Sequence, residues 1–89
     1  MIIGRVAGTV VCTKKVDELV GFKLLLVRKL DLDGEPGKDF VIAVDIVGAG
    51  EGEKVLVVSG SSSRQTTRTD KKPVDAAVIG IIDTVTLSE

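Results

Sequence analysis

The chain has 89 residues, 44% of them hydrophobic but only two aromatic, and a formal net charge of −1. That length gives one domain, residues 1–89, near the small end for a self-sufficient core. One cysteine excludes an internal disulfide, and the absence of histidine removes the commonest zinc ligand. The balanced charge gives no electrostatic reason to bind nucleic acid or an anionic membrane.

No charged n-region and apolar h-region open the sequence, and no apolar run nears the roughly 18 residues of a membrane span. A soluble, intracellular protein is the expectation. Small domains often need a staple, and self-association is the one left here. The apolar mass is almost all Val, Ile, Leu and Ala, more than a small monomer hides easily, so part of it is expected to face another subunit.

The apolar period is two along nearly the whole chain, which predicts strands. Residues 2–12 form the first, with Ile2, Gly4, Val6, Gly8, Val10 and Cys12 on the inward face. Gly4 and Gly8 there suit a coiled barrel strand and close approach of another backbone. Cys12, last in that row, reads as a small buried hydrophobe rather than a reactive thiol.

A charged loop then leads to a second apolar strand over residues 23–30. Residues 31–37 carry the Asp, Gly and Pro chemistry of a reverse turn. Residues 39–47 alternate, with Phe40, Ile42, Val44 and Ile46 on one face and Asp39 and Asp45 on the other. Short residues 54–59 and long residues 76–87 complete five strands, Gly80 lying near the middle of the last. Residues 60–73 are the long polar segment, with room for a helical turn over residues 62–67. The architecture expected is all-β: a small five-stranded, OB-like barrel with one long polar loop and little helix, with a small sandwich as runner-up.

The densest motif is Gly48, Ala49, Gly50, Glu51, Gly52, Glu53 and Lys54, a glycine-rich turn between two apolar strands. It resembles a phosphate-binding loop but matches neither G-x-G-x-x-G nor G-x-x-x-x-G-K-[ST]; Val55 stands where a magnesium-binding hydroxyl belongs. A strand follows rather than a helix N-terminus, and Glu51 and Glu53 would repel a phosphate. A tight loop using glycine's positive φ is the simpler account.

Gly60, Ser61, Ser62, Ser63 and Arg64 suggest a serine nucleophile, yet without histidine the Ser-His relay is impossible. The simpler reading is a chain corner whose hydroxyls serve loop amides and whose Arg64 reaches a carboxylate or carbonyl. Asp31, Asp33 and Glu35 are too few and too close for a calcium loop. Single-stranded nucleic-acid binding is the functional alternative for an OB-like barrel. Its support is the cluster Arg64, Arg68, Lys71 and Lys72; against it stands the lack of Trp and Tyr.

Four blocks together are similar to the EutN/CcmL family of microcompartment vertex proteins. They are the opening from Met1 through Gly4, Arg5, Gly8 and Val11 with Thr13 following, and Gly21, Phe22 and Lys23 with the aliphatic run after them. The third is Asp45 with the GAG-x-GE turn and the G-S-small-small-R corner; the fourth is Pro73, Val74 and Asp75 through Gly80 and Asp83. Ser63 departs from the alanine more usual before the arginine.

The resemblance implies a barrel assembling into pentamers that cap the vertices of a polyhedral shell in the bacterial cytoplasm, beside hexameric shell proteins of the same microcompartment. It implies no catalytic residues, no cofactor, no metal, and no nucleic-acid or membrane partner. The expected pore or subunit-interface turn is Gly48, Ala49, Gly50, Glu51, Gly52 and Glu53. The expected interface corner is Ser61, Ser62 and Arg64.

Overall fold

The period-two segments resolve into strands that share one continuous sheet. The structure is a computed structural model describing residues 1–88. Its strands are β1 (Ile2–Val10), β2 (Lys23–Leu30), β3 (Pro36–Asp45), β4 (Lys54–Ser59) and β5 (Ala76–Ile81). They close into a barrel in the order β1-β2-β3-β5-β4. Two 3-10 turns, Asp17–Leu19 and Gly60–Arg64, are the helical pieces among the described residues. The expected small all-β barrel with little helix is what forms, and the helical turn expected over residues 62–67 lies slightly earlier.

The seams differ in strength. β2 pairs with β3 and with β1 along most of its length, antiparallel on both sides. The β3–β5 seam is parallel and rests on two residue pairs, Val44 with Ala77 and Asp45 with Val78. The barrel is closed, but closed thinly there.

Inside lie Val6, Leu25, Val27, Ala43, Val55, Val57, Ala76 and Val78, each the inward member of its strand's alternation. Burying each larger aliphatic side chain is worth about 1.5–3 kcal/mol. A second cluster sits outside the barrel wall, where Val44, Val58, Val74 and Ala77 pack with Leu19, Phe22 and Leu24 under the two 3-10 turns. Gly4 is where two strands come closest. A Cβ there would run into the Val27 side chain and stand 2.9 Å from the Arg28 carbonyl oxygen.

Several expectations need correction. A bulge between Val6 and Gly8 shifts the β1 register, so the even positions face inward only as far as Val6. Gly8 pairs instead with outward-facing Leu26, and a Cβ there would meet nothing within 4 Å. The strand ends at Val10, which leaves Cys12 half-buried beyond it rather than buried in the inner row. β3 runs from Pro36 to Asp45, and its Phe40–Ile42–Val44 face is the outer one, while Ala43 points into the core. β5 stops at Ile81, not residue 87, because β4 offers it no partner past Lys54, whose carbonyl accepts from the Ile82 N–H at 2.8 Å.

The β2–β3 connection is a self-satisfied turn. The Asp31 carboxylate accepts from the N–H groups of Asp33 and Glu35, both at 2.9 Å. Asp31 is thereby spent on backbone, as Asx turns spend it.

Candidate functional site

The glycine-rich turn leaves β3 at Asp45, crosses the barrel mouth and re-enters the sheet at β4. Asp45 directs it. The residue is 5% exposed, and one carboxylate oxygen accepts from the N–H groups of Val47 at 3.1 Å and Gly48 at 3.0 Å. The other oxygen lies 4.0 Å from the Lys23 ammonium, which also donates to the Ala49 carbonyl at 2.8 Å. These bonds lower Ala49 into the mouth, where it is fully buried as part of the inner core.

The far limb is held as firmly. The Gly52 N–H donates to the Val6 carbonyl at 2.8 Å, and the Val6 N–H donates back to the Glu53 carbonyl at 3.0 Å. Glu53 accepts from the Gly50 N–H at 2.7 Å, closing the turn on itself. Gly48 and Gly52 sit at φ +80° and +83°, a region that L side chains rarely adopt. Glu53, expected to repel an anion, is thus a structural acceptor that occupies the amide a phosphate would need. Gly48, Glu51 and Gly52 form the exposed crest; Ala49, Gly50 and Glu53 face inward or are half-buried.

The serine corner divides similarly. Ser61 and Ser62 are exposed, whereas Ser63 is fully buried, with Oγ 2.6 Å from the Gly60 carbonyl and 3.0 Å from that of Val74. Arg64 donates to the same Val74 carbonyl at 2.8 Å. The carbonyl expected for Arg64 is therefore within its own chain. Ser63, where alanine is more usual before the arginine, is the corner's buried anchor.

The cationic loop does not build a stacking platform. The Arg68 guanidinium lies over the Phe22 ring at 5.3 Å, so one aromatic and one cation are already engaged with each other. The second aromatic, Phe40, stands on β3 opposite Arg28. No group of three or more His, Cys, Asp or Glu residues gathers at metal-binding distance among the described residues.

What sequence reasoning missed is the pair of apolar outer faces. On the β2–β3 seam, Leu26 pairs with Ile42 beside Phe40, and Phe40 and Ile42 are 59% and 45% exposed. On the β1–β4 seam, Ile3 pairs with Leu56, and Val85 and Leu87 of the tail line a groove with Ile3, Leu30 and Leu32. A signal was present. The bore of a five-stranded barrel admits only small or medium side chains, so in residues 40–43 the larger pair, Phe40 and Ile42, belongs outside and Val41 and Ala43 inside.

Comparison with known proteins places this geometry. The family model described as "Ethanolamine utilisation protein EutN/carboxysome" matches residues 1–83. The carboxysome shell vertex protein CcmL of Gloeobacter violaceus is 51% identical over 87 residues, covering 98% of this chain and 87% of that one. The microcompartment shell vertex protein EutN of Salmonella typhimurium is 47% identical, covering 96% of this chain and 86% of that one. Among solved structures, the pentameric microcompartment shell protein GrpN from Rhodospirillum rubrum superposes with a TM-score of 0.91 at 46% identity. That match covers 99% of this chain and all of the other.

Proposed function

This chain belongs to the EutN/CcmL family, and we propose that five copies close head to tail through its two apolar outer faces. It is a structural shell vertex protein of a bacterial microcompartment, pentameric like its relatives, and not an enzyme. Its place is the microcompartment shell. The nucleic-acid alternative has no support from the family or from the engaged Phe22–Arg68 pair.

The observation that carries the ring geometry is the placement of the faces. The β2–β3 seam and the β1–β4 seam are not adjacent; β1–β2 separates them on one side, β3–β5 and β4–β5 on the other. A heterologous contact between two different faces closes a ring when the faces are inclined, and makes a filament when the rotation does not close. Leu26, Phe40 and Ile42 of one copy meet Ile3, Val85 and the neighbouring tail of the next. The crest of Gly48, Glu51 and Gly52 is the part of the turn offered to the ring axis, and Ser61 and Ser62 are the part of the corner offered to neighbours. Arg64, tied to Val74, holds that corner in shape. The hexameric shell proteins of the same microcompartment surround the ring.

Native mass spectrometry tests the assembly. A species of five times the 9.3 kDa chain mass is expected, and a stable monomer at micromolar concentration sinks the reading. In cells, deleting the gene should leave elongated or unsealed shells, and closed polyhedra without any paralogue would count against the vertex role.

A further inference from the structure

The weakest join of the barrel divides it into two leaves. The β3–β5 seam rests on Val44 with Ala77 and Asp45 with Val78, and the Ile46 N–H that continues it reaches the Val78 carbonyl only at 3.5 Å. Parallel pairing is also the less stable kind per residue. The β1–β2 ladder, by contrast, runs antiparallel from Gly4 with Lys29 to Val10 with Leu24. One leaf is therefore β2 and β3, the other β1, β4 and β5. If the β3–β5 seam parts, the leaves can swing about the β1–β2 ladder.

What spans the seam lies outside the wall. Leu24, Val44 and Phe22 on the side of the first leaf pack with Val58, Val74 and Ala77 on the side of the second. Beside them the Arg68 guanidinium stands 5.3 Å from the centroid of the Phe22 ring. Phe22 is the residue before β2, and Arg68 lies in the segment that joins β4 to β5. The pair thus crosses the same line as the seam.

Each half is set in place by its own backbone. The Phe22 N–H donates to the Leu19 carbonyl at 3.2 Å, at the end of the 3-10 turn Asp17–Leu19. Arg68 sits between Thr66 and Thr69, whose hydroxyls are 2.6 Å apart. The Thr69 N–H donates to Thr66 Oγ1 at 3.0 Å, and Thr69 is fully buried. Little backbone freedom is left to lose when cation and ring meet.

We infer that Phe22 and Arg68 form a clasp that holds the two leaves shut across the β3–β5 seam. Guanidinium and ring face attract one another, and the contact counts because the seam it bridges has so few bonds of its own. The β2–β3 face lies on one leaf and the β1–β4 face on the other, so a shut seam gives them a single inclination, which ring closure requires. That consequence rests on the ring reading; the clasp itself does not.

Amide hydrogen exchange is the test. It is run on the full chain, diluted until native mass spectrometry shows single copies, so failure of the ring reading leaves the measurement intact. In the parent, the Ile46 and Val78 amides should exchange faster than those of the β1–β2 ladder. Arg68→Ala should speed both by about 2–5-fold, the worth of one exposed cation–π contact. The Asp33 and Glu35 amides belong to a turn that opens without parting Phe22 from Arg68, and should not change. Phe22→Leu keeps an apolar side chain and loses the ring, so adding Arg68→Ala to it should have no further effect. Arg68→Lys, still cationic, should fall between the parent and Arg68→Ala. Seam amides unchanged by Arg68→Ala overturn the inference. So does an equal rise at Asp33 and Glu35, or a double variant whose factor is the product of the two single ones.

Discussion

The turn at residues 45–53 and the outer face of β3 adjoin in sequence and use their residues in contrary ways. In the turn the polar groups that set its shape have partners inside the chain: Asp45 with Val47 and Gly48, Glu53 with Gly50, Lys23 with Ala49. On the β3 face, Phe40 and Ile42 leave apolar surface exposed, and the pairing with β5 does not extend to them among the described residues. The segment richest in apparent chemistry is braced within its own chain, and the plain aliphatic one is not. For a shell protein that division has a physical logic. A braced turn fixes the barrel mouth before assembly, and exposed apolar surface supplies the driving force for association.

The contrast is sharpest if inner changes damage the fold and outer changes damage only the ring. Gly4→Ala should have the largest effect, because the added Cβ meets a backbone carbonyl as well as Val27. Overpacking of this kind costs about 3 kcal/mol. For a domain of this size that is a fall of roughly 12–24 °C in Tm, measured at fixed protein concentration because assembly also shifts Tm. An unchanged Tm would mean the strands separate more easily at Gly4 than their geometry indicates.

Phe40→Ser comes next and should act on the other side of the divide. A central aromatic in an interface is worth about 2 kcal/mol or more, roughly a 30-fold weakening per contact. Dilution series followed by light scattering should show the ring dissociating at higher concentration. Under dissociating conditions the monomer should unfold within about 0.5 kcal/mol of the parent, since Phe40 is exposed there. A monomer that loses as much stability as the ring would erase the distinction.

Asp45→Ala should return the effect to the fold. It removes two hydrogen bonds to a buried, charged acceptor, at a cost of about 2 kcal/mol. The Lys23 contact at 4.0 Å adds little, because Lys23 is half exposed. Denaturant unfolding should register the loss, while ring affinity, compared under conditions where both chains are folded, should not move. A specific loss of ring affinity would place Asp45 in the interface and the turn on the outer side of the comparison.

The barrel was legible because alternation and glycine placement carry it: β2 falls on residues 23–30 as the period predicts. The inward face of β1 was legible only to Val6, since one inserted residue at the bulge reverses every later side chain and leaves no compositional mark. Which face of β3 lies inside was left unassigned for a different reason. Hydrophobicity ranks Phe40 and Ile42 above Ala43, but the bore selects by size, and size becomes decisive only once the strand count is known. The turn was legible as a tight loop and illegible as a plug, because Ala49 is buried by Asp45 and Lys23, which lie on different strands. That the chain forms rings came from resemblance, as periodicity within one subunit holds no symmetry number.

Ser63→Ala should have the smallest effect and is the finest test of the inner side. Its hydroxyl is fully buried between the carbonyls of Gly60 and Val74, and Arg64 shares the second. A carbonyl accepts two bonds, so Ser63 and Arg64 do not compete for it. Removing the hydroxyl leaves Val74 with Arg64 and leaves Gly60, an exposed residue, open to water, so no acceptor is orphaned. The cost is that of one net hydrogen bond, about 1 kcal/mol, or roughly 4–8 °C in Tm. Arg64→Ala on the Ser63→Ala background should cost more than on the parent, since Val74 then loses both donors. Simple additivity would mean that the two side chains brace the corner independently, with no coupling through that shared carbonyl.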